Sequence, residues 1–184
     1  MKYALLILLC LSLAACQTWT QIKDDDFMKG PKNAFMIKLP NNWMHASLVN
    51  DRIIVTRDGI SVQYIKVIRM SPDDAFEKIE KKANSKMLPE ELAELTLAEI
   101  RKEESIGGSL KVLENSPVKI GNYDGYRLHI EFKNLKGLRF ERIIYGLLDD
   151  EYVIRLTYQA PMLYFFERDL NTFENTVKTF QIAI

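Results

Sequence analysis

Residues 110–159, with the sequence LKVLENSPVKI-GN-YDGYRLHIEFK-NLKG-LRFERIIYGLL-DD-EYVIRLTYQ, decide the fold of this chain. Four β-rich runs, 110–120, 123–133, 138–148 and 151–159, are separated by short turn signals. Turns this short join antiparallel neighbours, so the pattern predicts a four-stranded meander. Within it, apolar and polar residues alternate with a period of two, which assigns side chains to opposite faces of a sheet. One face carries Tyr126, Leu128, Ile130 and Phe132; in the last strand, Val153, Arg155, Thr157 and Gln159 lie opposite Tyr152, Ile154, Leu156 and Tyr158.

Further strands are predicted before the meander. Residues 35–39 form a short edge strand that Pro40 stops, and Asn41-Asn42 turns the chain into Trp43. The runs 52–57 and 60–70 flank Asp58-Gly59, which is a strong hairpin signal. Both faces of the second run carry apolar residues, so we expect that strand to be covered on two sides.

Three helices complete the pattern. Ser71-Pro72-Asp73-Asp74 has the features of a helix start, and helical spacing continues to about Lys82. A second helix runs from about Pro89 to Ser105 and is ended by Gly107-Gly108. The last begins at Pro161 and carries an apolar stripe of Met162, Phe166, Leu170, Phe173, Val177 and Phe180, which is expected in the core, with a ligand wall as the alternative. Together these elements predict an α+β domain, an antiparallel β-sheet with helices packed on its faces.

The N-terminus has the parts of a targeting segment. Lys2 is followed by an uncharged run at 4–15, whose helix would rise only ~18 Å, short of a ~30 Å hydrocarbon core. This favours a cleaved signal over a permanent membrane span.

Leu13-Ala14-Ala15-Cys16 resembles the lipobox of bacterial lipoproteins. The resemblance implies a signal peptide at 1–15 and a multiply acylated Cys16 that anchors the protein in a membrane of the cell envelope. Gln17 in place of an aspartate favours the outer membrane, facing the periplasm, in a double-membraned bacterium. A plain secretory signal with an incidental cysteine, or a buried N-terminal helix, remains the alternative.

Residues 16–33 are expected to form the lipidated cysteine and a flexible tether, and 34–184 a single domain. The tether contains Asp24-Asp25-Asp26, but the spaced ligands and glycine of a calcium loop are missing. We therefore expect a solvated spacer without metal, with a calcium site as the alternative.

Composition excludes several classes of function. The chain has 25 basic and 25 acidic residues, so it lacks the basic footprint of a nucleic-acid-binding protein. Its two cysteines are Cys10, in the signal, and Cys16. The mature domain would therefore have no disulfide, no cysteine nucleophile and no cysteine metal site.

The domain resembles the PsbP-like fold, that of the photosystem II extrinsic subunit, shared with Ran-binding relatives and many bacterial lipoproteins. The match covers about 34–182 and rests on the F-x-I-x-x-P-x-x-W opening at 35–43, on Gly125-Tyr126 and on the run 152–156. The resemblance implies an assembly or interaction module that is not an enzyme. Plant members assist manganese and calcium retention, but no matching ligand set exists here, so we assign no cofactor and no metal.

No catalytic motif is found. His45 and His129 are expected to be structural or solvated, His129 on the face opposite Leu128. Gly107-Gly108 ends a predicted helix, whereas a phosphate-binding glycine loop precedes the start of one. The charged residues Glu99, Arg101, Lys102, Glu103 and Glu104 are interpreted as a solvated helix end.

Few residues are candidates for contact with a partner or a membrane. Lys81, Lys82 and Lys86 form a modest basic cluster that could contact headgroups or an acidic partner. Trp43 is expected to pack in the core, with partner contact as the alternative.

We therefore expect a lipid-anchored, non-enzymatic protein-interaction or assembly module with an envelope protein partner. A carrier or sensor of a small apolar ligand is the alternative. A cell-envelope hydrolase is a third and weaker hypothesis, since the sequence shows no catalytic set of residues for hydrolysis.

Overall fold

The computed structural model describes residues 19–23, 27–46, 52–149 and 151–183. The predicted signal peptide and Cys16 lie outside these residues. Within them the chain forms eleven strands and two α-helices: β1 Trp19–Gln21, β2 Phe27–Lys29, β3 Phe35–Lys38, β4 Met44–Ala46, β5 Arg52–Thr56, β6 Tyr64–Met70, α1 Pro89–Ile100, β7 Ile106–Ile120, β8 Tyr123–Asn134, β9 Arg139–Leu148, β10 Val153–Pro161, α2 Glu167–Lys178 and β11 Gln181–Ile182.

The strands form two antiparallel sheets. A large sheet has the order β1-β4-β5-β6-β10-β9-β8-β7, and a small one has the order β11-β3-β2. The predicted meander is confirmed as β7 to β10, with each strand paired to the next. After the meander, β10 also pairs with β6, so the early hairpin and the meander share one sheet.

Each face of the large sheet packs against a different layer. Tyr126 and Leu128 on one face pack against Leu92 and Leu97 of α1. On the other face, the sheet packs against α2 and the small sheet through residues that include Ile65, Leu156, Tyr158, Phe173 and Phe35. The predicted fold class, an α+β sandwich with helices on both faces, is confirmed, as is the apolar stripe of the last helix from Phe166 onward.

The prediction of a flexible tether up to residue 33 is wrong for the described part of that segment. Trp19–Gln21 pairs with β4, and Phe27–Lys29 pairs with β3. Consequently β3 is the central strand of the small sheet and not an edge strand. A three-residue strand is too short for alternation of apolar and polar residues to be recognised in the sequence. Such strands are stabilised by backbone hydrogen bonds to their neighbours.

The hairpin at Asp58-Gly59 is confirmed, but its loop is longer than a two-residue turn. Residues 57–63 join β5 to β6, and Gly59 has a φ of 106°. The carbonyl of Gly59 accepts from the N–H groups of Val62 and Gln63, which closes the loop.

Two helix predictions need correction. Residues 71–82 form turns and a 3₁₀ segment, Glu77–Ile79, because Phe76 and Glu80 leave helical geometry. The helix predicted to reach Ser105 ends at Ile100, and Gly107-Gly108 lie inside β7. A single helical turn is too short to be stable on its own, since helix nucleation is unfavourable, and Ala75 and Phe76 are buried without a continuous helix.

The final helix begins later than Pro161. Residues 162–166 form an irregular turn in which Tyr164 has a φ of 69°. The buried Tyr158 hydroxyl donates to the carbonyls of Phe165 and Phe166, at 2.8 and 3.0 Å, which satisfies acceptors at this turn. No helix among the described residues has the length and apolar character needed to cross a membrane.

Candidate functional site

One face of the large sheet is only partly covered by α1. The helix lies over β8 and β9, and the chain segment that follows it borders a cleft of about 770 Å³ over β6, β10 and β9. The size is within the ~300–1,000 Å³ range typical of ligand sites. Its lining comprises Tyr64, Lys66 and Ile68 from β6, Arg155 and Thr157 from β10, Arg142 and Ile144 from β9, Thr96 and Ile100 from α1, residues 102–105, and Lys78.

The cleft is strongly cationic although the chain as a whole is charge-balanced. Five cationic side chains line it against two carboxylates: Lys66, Lys78, Lys102, Arg142 and Arg155 against Glu103 and Glu104. Strand register brings the floor residues together. Arg155 of β10 pairs with Ile68, and Thr157 pairs with Lys66 of β6. Positive charge drawn from distant parts of the sequence is therefore concentrated at one place.

Arg142 is fully engaged within the protein. Its side chain is almost buried, with the residue 6% exposed, and it makes two 2.9 Å hydrogen bonds to the carboxylate of Glu103. Its Nε donates to the Gln159 amide oxygen at 2.8 Å, and the Tyr64 hydroxyl donates to the same oxygen at 3.2 Å. Such a bidentate pair is both strong and directional. Arg142 therefore ties the segment after α1 to the sheet and fixes one wall of the cleft.

Glu103 is the anionic side of this wall. Burial opposes its ionisation, but hydrogen bonds and charge from Arg142, with the charges of Lys66 and Lys78, lower the pKa of Glu103 below its usual range. The interpretation of Glu99 and Glu103 as part of a solvated helix end is therefore wrong. Glu99 is half-buried, and its Oε1 accepts from the backbone N–H of Lys78 at 3.3 Å.

Arg155 differs from Arg142 because it has no carboxylate partner among the described residues. The residue is 8% exposed. One terminal nitrogen donates to the Ala75 carbonyl at 2.9 Å, and the guanidinium lies 4.7 Å from the centre of the Phe76 ring. Its Nε is buried without a hydrogen-bond partner. A carbonyl, a ring face and the nearby Tyr126 hydroxyl provide only partial compensation for a buried charge.

Lys66 is the second uncompensated cation. It is half-buried and forms no ion pair with the described residues, and its Nζ lies 5.8 Å from the centre of the Tyr64 ring. Burial, together with the charges of Arg142, Arg52 and Arg155 and against the opposing effect of Glu103, lowers the pKa of Lys66 to about 8. Lys66 is thus held in a position that disfavours its own charge.

The polar groups of the cleft are mostly cations, hydroxyls and carboxylates. The Thr96 hydroxyl is bonded to the Tyr126 hydroxyl at 2.7 Å, and the lining includes no histidine. Across the described ranges, no three His, Cys, Asp or Glu side chains come together as a metal site would require. A perturbed ionisable group in a cleft indicates a candidate functional site, and Lys66 is such a group.

The residues singled out from the sequence lie elsewhere. Trp43 is 4% exposed and packs in the core, as expected, although it borders a separate groove of about 520 Å³ beside α2. Lys81, Lys82 and Lys86 are exposed on the loop before α1, where Lys82 pairs with Asp73 at 2.9 Å. Their role in partner contact stays a prediction.

Both histidines have structural surroundings. His129 lies on the face opposite Leu128, as predicted, with its Nε2 2.6 Å from Glu141 and its ring stacked on Phe166 at 5.4 Å. His45 is half-buried in β4, and burial lowers the pKa of its imidazole.

The sequence does contain a signal for the cleft. Lys66, Arg142 and Arg155 each interrupt an apolar run inside a predicted strand, at 64–68, 140–144 and 153–156. Charged residues are rarely buried without a partner, so a cation at such a position indicates either a pair or a ligand. Only the strand order shows that the three share one cleft.

Comparison with known proteins supports the fold and nothing finer. No protein family and no curated protein matches the chain. Among solved structures, cyanobacterial PsbP (CyanoP) from Synechocystis sp. PCC 6803 is similar, with a TM-score of 0.57, 9% identity, and coverage of 92% of this chain and 95% of that one. The Ran-binding protein Mog1p of Saccharomyces cerevisiae has a TM-score of 0.57 at 9% identity, covering 88% and 96%.

A structure from Bacteroides thetaiotaomicron has a TM-score of 0.53 at 13% identity and covers 90% of this chain. This chain spans half of that protein's length. Identities this low establish a shared PsbP/Mog1-like fold and carry no residue roles.

Proposed function

We propose that this protein is a lipid-anchored, non-enzymatic binding module of the bacterial cell envelope, and that the cleft over β6, β10 and β9 is where it holds its partner. The observation that carries the proposal is the presence on the cleft floor of two cations without an ion-pair partner among the described residues, the buried Arg155 and the half-buried Lys66. A domain without functional demand would replace them with apolar residues, because buried unpaired charge lowers stability.

The fold is compatible with this role. Mog1p is described as a Ran-binding protein, so the same architecture serves protein recognition in another organism. The charged lining does not suit the small apolar ligand of the alternative hypothesis, and a hydrolase would need a nucleophile and base that the cleft does not bring together.

The anchor belongs to the same proposal and rests on Leu13-Ala14-Ala15-Cys16. Because β1 already begins at Trp19, only two residues, Gln17 and Thr18, separate Cys16 from the sheet. A fully extended chain covers at most ~3.6 Å per residue, so the three steps from Cys16 to Trp19 would span at most about 11 Å. The module would therefore be held close to the headgroups by its β1 edge, and not on the longer tether that the sequence had suggested.

The anchor is tested by substituting Cys16→Ala and following lipid labelling and membrane fractionation. Labelling is expected to disappear and the protein to leave the membrane fraction. Unchanged labelling would refute the lipoprotein assignment but would not bear on the proposal that the cleft binds a partner.

The binding role is tested by photo-cross-linking in intact cells. A photoreactive residue at Lys102, exposed on the cleft rim, is compared with one at Lys119, exposed near the β7–β8 turn and paired with Asp124. We expect a reproducible envelope partner from Lys102 and a much weaker product from Lys119. Equal products at both positions, or none from Lys102, would contradict the proposal.

A further inference from the structure

The two unpaired cations of the cleft differ from the other basic residues around them. Arg142 has its counter-charge in Glu103, and Lys78 and Lys102 are exposed to water on the rim. Arg155 and Lys66 lie on the floor, and neither forms an ion pair with a carboxylate of the described residues, although the charge of Glu103 acts on Lys66. An anion over the floor would supply the missing counter-charge.

The anion that fits best is a carboxylate. Arginine and a neighbouring lysine supply side-chain donors spread along adjacent strands, with further cations on the rim. Compact phosphate groups are typically held by backbone N–H groups at a helix N-terminus. Here the adjacent helix presents its C-terminal end, at Ile100, whose partial negative charge opposes a dianion.

The shape of the site favours a protein segment over a membrane surface. A bilayer is flat and would meet the protruding Lys78 and Lys102, but it would not reach Arg155, which is 8% exposed below the rim. A chain with acidic side chains can enter a cleft of about 770 Å³ and place carboxylates on its floor.

From this arrangement we propose that the cleft binds an acidic segment of a partner protein, with its carboxylates held by Arg155 and Lys66 and its flanks by Lys78 and Lys102. This inference rests on the proposed function and names the chemistry that the binding site selects.

The test measures binding of a fluorescent hexaglutamate peptide to the purified full-length protein in detergent, at pH 7 and low salt. Hexaglutamine is the neutral control for the peptide backbone. We expect saturable binding of hexaglutamate that weakens as salt is added, and no binding of hexaglutamine.

Two variants show whether the floor cations are responsible. Lys66→Met should weaken hexaglutamate binding at least tenfold, and Arg155→Gln should do the same if it folds. The matched control Lys119→Met, which removes an exposed lysine outside the cleft, should leave binding unchanged. Urea denaturation of each variant shows that it is folded at pH 7, so that a loss of binding by Lys66→Met is not a loss of the fold. Unchanged binding by Lys66→Met would overturn the inference.

Other ligands are separate arms of the same experiment. Tighter binding of glutarate than of the peptide would assign the site to a free organic acid, and preferential binding of inorganic phosphate would assign it to phosphate. Binding of the variants and the wild type alike to phosphatidylglycerol vesicles, without peptide binding, would make it a membrane surface. Each of these results overturns the acidic-segment inference.

The inference and the proposed function can fail separately. If Lys102 still cross-links its partner in the Lys66→Met background, the cleft is a binding site but its occupant does not depend on these cations. If Lys102 captures no partner while hexaglutamate binds as expected, the carboxylate chemistry stands and the envelope-partner role fails.

Discussion

Replacing Lys66 with methionine should stabilise the fold at neutral pH. The substitution keeps the length of the side chain and removes a charge that burial and three neighbouring arginines disfavour. A pKa that falls from 10.5 to about 8 corresponds to roughly 3 kcal/mol of unfavourable interaction with the charged form. Since Lys66 is only half-buried, solvent screening reduces this, and we expect the free energy of unfolding to rise by about 1–2 kcal/mol.

The pH dependence gives this prediction its sign. Below pH 8, Lys66 is charged in both the folded and the unfolded chain, so the wild type carries the full penalty. Between pH 8 and 10.5 the folded protein releases the proton while the unfolded chain keeps it, so wild-type stability rises with pH. The advantage of Lys66→Met should therefore shrink to about 0.7 kcal/mol at pH 10.

Urea denaturation at pH 7 and pH 10 measures both quantities, with Lys119→Met as the matched control. Lys119 is exposed and pairs with Asp124, so its replacement should leave stability at pH 7 close to that of the wild type. A gain for Lys66→Met that does not change with pH would show that it arises from apolar packing of methionine. Absence of any gain at pH 7 would refute the argument that Lys66 is retained against stability.

Three further substitutions test how the cleft is built. Glu103→Gln removes the charge partner of buried Arg142 and should lower the free energy of unfolding at pH 7 by about 3 kcal/mol, whereas exposed Glu104→Gln should change it by less than about 0.5 kcal/mol. Because the fold lowers the pKa of Glu103, its stabilising contribution is complete above pH 4.5 and is lost as pH falls, so the wild type should approach the variant in acid. Gly146→Ala would place a Cβ 2.2 Å from the Tyr126 ring and should cost about 3 kcal/mol, measured as a lower Tm, with partial recovery on adding Tyr126→Leu. Thr96→Val deprives the buried Tyr126 hydroxyl of its 2.7 Å partner and should cost about 1–3 kcal/mol in the same assay, while a Tyr126→Phe, Thr96→Val double variant should recover part of the loss.

The alternation of apolar and polar residues made the meander of the large sheet predictable from the sequence. From Tyr126 to Phe132 and from Val153 to Gln159, a period of two assigns each side chain to a face, and the structure places them accordingly. The short strands β1 and β2 could not be found in this way, because three residues contain little periodicity. Their pairing depends on partners that lie farther along the chain.

The cleft was harder to predict from the sequence, because its residues are brought together only by tertiary structure. Glu103 was assigned to a solvated helix end, but the helix stops at Ile100 and the chain then turns Glu103 toward Arg142. Arg155 and Lys66 lie far apart in the sequence and meet only because β10 pairs with β6. Local patterns carry no information about such a pairing.

Cross-linking from Lys102 in intact cells, compared between the wild type, Lys66→Met and Lys119→Met, tests most directly whether the cleft cations hold a partner. We predict that the partner product persists in Lys119→Met and falls at least tenfold in Lys66→Met, while both variants accumulate to wild-type levels. A product of undiminished yield in Lys66→Met would contradict the assignment of the unpaired cations to partner binding.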